Sequence, residues 1–494
     1  MRLVSLTLTC ALAAACGDND NHHHPMADAG GGDDPDGGGE DPDGGPEADV
    51  YQFDSRFVDG ESSVAYSGQA LRQVLINDLS SYISALDTLP PEDFPADVEA
   101  ALLLYYEFDA AVAGELAVRI STDPATLQAT YGEIGSANLV GKIAGNDPTG
   151  QHKEWDQPGV FVGWSPGQAG SPDELVRFYI SEIDRLADDF AAGNAPDDPN
   201  GQQIQSASID ADGRNYRQLL QKFLFGAVAF SQATDDYLDD ADADHGINVD
   251  NEAPSGDGSA HSALEHHWDE GFGYFGAARD YLAYADEEIA GRGGRDDWQR
   301  YHDTSGDGAI DLAAEYNYSL AGYAAQRDLG SSPEAPTDFT GEIFGGLLAG
   351  RRLIAEAGGN LSDEQMTQLK AYRDQAVLGW EKVLAANVIH YINETLRDMA
   401  TFGANEYSFS SHASHWSEAK GFALGLQFNP RKQISDAQFE ELHDLLGVAP
   451  VLPGAPQVQI DNYRDGLLEA RGILAEAYGF DPANVGDENG ENGW

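Results

Sequence analysis

Two short stretches of this chain carry the same set of chemically capable residues. His267-Trp268-Asp269-Glu270-Gly271-Phe272-Gly273-Tyr274 is matched by His415-Trp416-Ser417-Glu418-Ala419-Lys420-Gly421-Phe422, so H-W-x-E-small-x-G-aromatic occurs twice. A His and a Glu three residues apart share one helix face, and each copy can therefore aim an imidazole and a carboxylate at one point. Two such pairs on facing helices would form a metal site of the kind built inside helical bundles. The expected transition-metal ligands are His267, Glu270, His415 and Glu418, with His266 or His412 close enough to join them. Imidazole and carboxylate donors without thiolate suit iron, zinc or manganese. The competing reading makes each His–Glu pair a buried hydrogen-bonded clamp beside its Trp, holding a helix crossing without any ion.

A second motif points to a different ion. Asp303, Ser305, Asp307 and Asp311 place oxygen side chains at loop positions 1, 3, 5 and 9, and Ala309 offers its carbonyl at position 7. Gly308 stands at position 6, where the loop turns sharply, and Ile310 anchors position 8. Hard oxygen donors at alternating positions wrap Ca²⁺. Position 12 is Ala314, so Glu315 is expected to supply the bidentate carboxylate through a loop one residue longer. In an exported protein such an ion would be structural. Gly163-Trp164-Ser165-Pro166-Gly167 formally matches the elbow of serine hydrolases, but Pro166 has no N–H to offer an oxyanion, and a proline turn is the better reading. The chain has no H-E-x-x-H helix and no phosphate-cradling loop.

Composition limits what these motifs can serve. The 494 residues suffice for one large or two ordinary domains, and 41% hydrophobic residues can build a full core. Eighty-five acidic against 27 basic residues give a net charge of -58, which repels nucleic acid and attracts cations. The only cysteines are Cys10 and Cys16, so the folded part holds no disulfide, thiolate site or cysteine nucleophile. Residues 1–15 read as a signal peptide: Arg2, an apolar run from Leu3 to Leu12, then Ala13-Ala14-Ala15. Cys16 follows as in a bacterial lipoprotein box, which implies lipidation there, and Gly17 rather than Asp favours the outer membrane, on its periplasmic or cell-surface side. Residues 16–50 then form an Asp/Gly-rich tether with the triplet His22-His23-His24 and no basic residue, too polar to pack.

From residue 51 to 494 the texture becomes helical. Leu369, Tyr372, Ala376, Trp380, Leu384, Val388 and Tyr391 recur every three or four residues, the stripe of a helix burying one face. Ser171 and Ser362 read as N-caps, with Pro172 at a first helical position and Glu174 and Gln365 completing capping boxes. Strand alternation is scarce, and Val160 to Trp164 is too short for a sheet. The expected fold is all-α: a large helical bundle of two pseudo-repeated bundles, joined by long ordered loops at 135–172, 193–210 and 241–260.

Several segments also carry a resemblance. Tyr66 to Arg72, Gly141 to Gly145, Glu265 to Gly276, Glu315-Tyr316-Asn317, Gln326 to Leu329 and His415 to Phe422 look like an uncharacterised bacterial lipoprotein family, catalogued as a domain of unknown function, over residues 51–480. More distantly, the H-x-x-E pairs resemble those of imelysin-like proteins, exported helical proteins of two similar bundles whose hallmark is G-x-H-x-x-E. Glu265 and Ala413 stand where that hallmark has glycine. The resemblance implies a non-enzymatic, metal-associated binding protein serving iron or other metal acquisition. Two alternatives stay open: a metal-dependent hydrolase with Glu270 or Glu418 activating water, and a glycan- or protein-binding scaffold presenting Trp164, Trp268 and Trp416.

Overall fold

The apolar stripe of residues 369–391 folds as part of one long helix. A computed structural model describes residues 49–90, 93–164 and 170–494. The signal peptide, Cys16, the tether up to residue 48 and Ser165-Pro166-Gly167 lie outside the described residues. The helices in chain order are α1 (Ser67–Leu86), α2 (Val98–Tyr106), α3 (Ala110–Ala113), α4 (Tyr131–Ile134), α5 (Pro172–Ala191), α6 (Tyr216–Leu224), α7 (Ala263–Phe275) and α8 (Asp286–Ala290). They continue with α9 (Ser319–Leu329), α10 (Phe339–Ala357), α11 (Asp363–Ala400), α12 (Phe409–Gly425), α13 (Asp436–Leu446), α14 (Gln457–Tyr478) and α15 (Pro482–Val485). Among the described residues no strand forms, only isolated bridges, so the fold is all-α. No described helix is long and apolar enough to cross a membrane.

Local signals set the helix ends. The Ser171 hydroxyl accepts the Glu174 N–H at 3.3 Å, with Pro172 opening α5, and Ser362 with Gln365 closes a full capping box on α11. The apolar stripe from Leu369 to Tyr391 lies inside α11, with Trp380 and Leu384 fully buried. The run Tyr216 to Phe230 is central and buried, but only α6 is regular helix. Phe225–Phe230 and Ala233–Tyr237 are wound as π-helix. Near the middle, Gly226 meets Gly425 of α12 so closely that a Cβ on Gly226 would lie 2.4 Å from the Gly425 Cα. Only a glycine pair permits that crossing.

The two motif copies occupy matching places. Trp268 donates its indole N–H to the Leu347 carbonyl of α10 at 2.8 Å, and Trp416 donates to the Leu446 carbonyl of α13 at 3.1 Å. The x residue accepts a backbone N–H at the start of another helix: Ala65, just ahead of α1, donates to Asp269 at 3.1 Å, and Asn215, which caps α6, donates to Ser417 at 2.8 Å. Gly273 packs against Tyr66 and Gln69 at the head of α1, and Gly421 against Lys222 of α6. Arg72 lies 5.9 Å from the Tyr274 ring centroid, and Lys222 lies 5.9 Å from that of Phe422. Each copy thus docks one helix onto the head of another, α7 on α1 and α12 on α6.

The first copy carries an extra charge that must be neutralised inside. Asp269 and Arg351 are both fully buried; the guanidinium donates to Asp269 at 2.8 Å, to Glu265 at 3.3 Å and to the Ser63 hydroxyl at 2.7 Å. The Tyr51 hydroxyl completes the shell of Asp269 at 2.8 Å. Burial pushes the Asp269 carboxyl up, and Arg351 opposes that shift by its positive charge. Removing one partner of a buried pair strands the other. Arg351→Leu is therefore expected to cost about 3–5 kcal/mol of unfolding free energy. Paired Arg351→Leu/Asp269→Leu should recover most of that loss, as read by denaturant titration of both variants.

Candidate functional site

The four motif ligands find separate partners. The His267 Nδ1 donates to the Gly246 carbonyl at 2.9 Å, while Glu270 accepts the Gln69 amide at 2.8 Å. In the second copy His415 Nδ1 lies 2.7 Å from Asp398, and Glu418, fully buried, pairs with the Lys222 ammonium at 3.1 Å. His266 donates to the Ala65 carbonyl at 3.1 Å and stacks on His261. His412 is fully buried, 3.8 Å from Asp398, and burial holds its pKa down at about 4. Among the described residues no group of three or more His, Cys, Asp or Glu side chains is arranged to hold a metal ion. The structure does not bring His267, Glu270, His415 and Glu418 together; Trp, x, Glu and Gly clamp helix crossings, and the copies diverge at the His.

Around His267 the sequence signal was incomplete. Its ring meets His245 edge-on at 5.4 Å between centroids and Tyr237 at 5.6 Å. His245 Nε2 lies 2.5 Å from Asp236, whose other oxygen faces the Lys142 ammonium at 3.4 Å. Lys142 also holds Asp147 at 2.5 Å. Asp236 belongs to the second π-helical segment, and Lys142 and Asp147 to the Gly141–Gln151 loop. π-Helical turns are uncommon and cluster at functional sites. Gly246 has φ +56° and a Cβ there would sit 2.1 Å from the Asp239 carbonyl, so only glycine turns the chain tightly enough to bring His245 onto Asp236.

The protonation states follow from these contacts. Burial holds His267 down at about 4, so the ring is neutral, and with Nδ1–H on the Gly246 carbonyl its Nε2 is an acceptor. The Asp236 hydrogen bond raises the His245 pKa. Neighbouring Asp235 points the other way, accepting from the Trp155 indole at 2.8 Å and meeting His152 at 3.1 Å, and burial lifts its carboxyl to about 7. In the second copy Lys420 is buried beside His443, 2.9 Å away, and burial brings its ammonium down to about 7. Lys142, Asp147, Asp236 and His245 share no sequence motif because they lie on separate segments of the chain.

The calcium motif folds as a tight loop. Asp303 accepts the N–H groups of Asp307 and Gly308 at 3.1 and 2.9 Å, and Gly308 takes φ +88°. Ile310 is fully buried and pairs its backbone with Ala125 and Leu127. Glu315 bonds the N–H groups of Ser305 and Asp311, both at 2.8 Å. Asp311 also accepts from Ala313 and Gln128, and Asp307 from the Ala309 N–H. Trp268 and Trp416 are fully buried and Trp164 nearly so, which makes those rings core and not an exposed platform.

Residues 175–306 match a family described as Domain of unknown function (DUF4856). That stretch contains α5, α6, the π-helical turns, His245 and the first motif copy; it ends before the second. No curated protein and no solved structure matches the chain.

His415 supplies a pH dependence. Burial opposes its charge, but the hydrogen bond and charge of Asp398 prevail and hold the imidazole at about 9. A folded value above the ordinary 6.5 favours the folded state when the ring is protonated. That contribution is complete below pH 6.5 and fades as pH rises towards 9. The stability difference between the wild type and His415→Gln should shrink across that window in denaturant titrations, and a difference that grows with pH would contradict the assignment.

Proposed function

We propose that this chain is an outer-membrane lipoprotein, tethered through Cys16, that binds a transition-metal ion and serves metal acquisition as a binding protein. The observation that carries the reading is the His267 ring lying beside His245, itself bonded to Asp236, with one nitrogen of His267 fixed by the Gly246 carbonyl. Fixing one imidazole nitrogen on a carbonyl is the usual way proteins orient a metal-binding ring. His245, His267 and Asp236 are not arranged as a metal site in this structure; they would have to close around the ion on binding, as an N/O donor set that fits iron or zinc. The reading draws further support from the export signal, the cation-attracting charge and the resemblance to imelysin-like proteins. The hydrolase alternative gains nothing from Glu270, which is engaged by Gln69.

Lys142 would be the competitor. Its ammonium stands against Asp236 and Asp147, so an incoming cation must displace it. Lys142→Met should therefore tighten zinc or ferrous binding by about tenfold or more, the worth of one ion pair of about 1.4 kcal/mol. His267→Ala should abolish it, and His415→Ala should leave it unchanged. Elemental analysis and competitive titration check all three; a wild-type protein that takes up neither metal after reconstitution would refute the reading.

The loop from Asp303 to Glu315 is proposed to hold a structural Ca²⁺ through Asp303, Ser305, Asp307, the Ala309 carbonyl, Asp311 and Glu315. An ion at 100 times its dissociation constant adds about 2.7 kcal/mol. The melting temperature should then rise with added Ca²⁺ in the wild type and remain fixed in Asp303→Ala.

A further inference from the structure

The sixth position of the repeated motif is Phe272 in the first copy and Lys420 in the second. Phe272 is core: it is fully buried and stacks on Tyr51, 3.8 Å between ring centroids. Lys420 is as deeply placed, 1% exposed, where α12 meets α13. Among the described residues its hydrogen-bond partner is His443 of α13, whose Nδ1 lies 2.9 Å away. Asp444, on the exposed side of α13, acts on it through charge without forming an ion pair. Buried lysines are normally paired with a carboxylate, and Phe272 shows that the helix crossing itself asks only for an apolar side chain. Lys420 therefore calls for a reason outside the clamp.

The groups around the amine lack an acceptor. Trp164 is 8% exposed, its ring centroid lies 5.9 Å from the Lys420 Nζ, and its indole N–H is buried without a partner among the described residues. His443 is 6% exposed; with Nδ1 taken by Lys420, its Nε2 is likewise buried without a partner. Gly163 brings these groups together. It takes φ +93°, and a Cβ there would sit 2.9 Å from the His443 Cδ2, so only glycine lets the chain carry Trp164 this close to the imidazole. Buried donors are normally satisfied. An indole N–H and an imidazole left open beside an amine mark the place of a small acceptor with more than one oxygen.

We propose that Lys420 is a site of reversible carboxylation by carbon dioxide, which converts its amine to a carbamate. The Nζ lone pair attacks the CO2 carbon, one C–O π bond opens onto oxygen, and Nζ gives up a proton to His443. The products are a carbamate anion and an imidazolium, with nothing oxidised and nothing released. The new oxygens accept from the Trp164 indole N–H and from the protonated ring, as charge-assisted hydrogen bonds. Burial, and after it the positive charge of Lys420, hold the His443 pKa down; a carbamate replaces that positive charge with a negative one and favours the imidazolium. The attacking amine must be neutral, and burial brings Lys420 down to about 7, so it is neutral above that pH. CO2 suits the position because it is small and uncharged, whereas a free anion would have to carry its charge into the interior. This site is separate from the His245–His267 cluster, and its occupancy does not depend on metal.

The test is carbon NMR of the full chain equilibrated with isotopically labelled bicarbonate, joined to mass spectrometry. A carbamate resonance should be present in the wild type, fade as pH falls through about 7, and be lost in Lys420→Met. Alkylation with a trialkyloxonium salt fixes a carbamate as its ester, and the peptide that contains Lys420 should then carry the added mass. Trp164→Phe, which keeps an aromatic ring and removes the N–H, should lower occupancy at fixed bicarbonate by about tenfold or more, the worth of a hydrogen bond to a charged group. Lys420→Met places an apolar side chain where the other copy has one and should stay folded; if it does not, the peptide map of the wild type locates the adduct by itself. No adduct on the Lys420 peptide, a resonance that Lys420→Met leaves intact, unchanged occupancy in Trp164→Phe, or a melting temperature raised by bicarbonate without any adduct would each overturn the proposal.

Discussion

A helix that accepts a backbone N–H from the chain just entering another helix is the contact on which both H-W-x-E crossings are built. The start of a helix leaves its N–H groups without internal partners, and burying them unpaired is costly. The same holds for the chain leading into a helix, and here Asp269 of α7 accepts the N–H of Ala65, two residues ahead of α1, while Ser417 of α12 accepts that of Asn215, the cap of α6. The Trp one position earlier and the Gly four positions later fix tilt and distance, through the indole–carbonyl bonds and the close approach to Tyr66 or Lys222. Ser417 is neutral and needs nothing more. Asp269 is charged, so the first half had to acquire Arg351, and with it a buried network reaching Tyr51, Ser63 and Glu265. Through Tyr51 and Ser63 that network ties the 51–65 segment to α7 and α10.

Seen this way, the repeated motif and the candidate site follow different logics. Trp, x, Glu and Gly do the same structural work in both copies. The histidine does not: one ring is neutral on a backbone carbonyl, the other is held charged by Asp398. A residue freed from the shared clamp can take on a role in one copy alone. That asymmetry places the chemistry of the first copy beside the π-helical turn, where Asp235 and Asp236 face opposite partners from adjacent positions.

Much of the fold was legible in the sequence. The α11 stripe, the Ser171 and Ser362 caps and the scarcity of strand alternation each record a local preference, and local preferences act without the rest of the chain. The H-W-x-E repeat was visible too, but its meaning was not. Spacing tells which residues share a helix face; it does not tell what stands opposite, and Gln69, Lys222 and Asp398 come from distant segments. The Lys142–Asp236–His245 cluster was hidden for the same reason, assembled across two loops and a π-turn that no periodicity announces. Burial decided the Trp residues: an indole inside a helical motif reads as core by default, and Trp268 and Trp416 are buried on their carbonyl partners.

The charge balance sharpens where function can lie. With 85 acidic and 27 basic residues, most carboxylates face water and need no partner, and they set a negative field around the molecule. Cations placed inside are therefore the informative minority. Arg351 answers Asp269, and Lys222 answers Glu418, each a defined carboxylate from the duplicated motif. Lys142 is different, because two carboxylates and a histidine ring crowd the same point. One ammonium among those groups leaves excess negative charge, which either a proton on His245 or an external cation can neutralise. The raised pKa of His245 is the protein's own form of that neutralisation. A divalent ion would provide the other, and in doing so would release both the proton and the lysine, coupling occupancy of the site to the position of the Gly141–Gln151 loop.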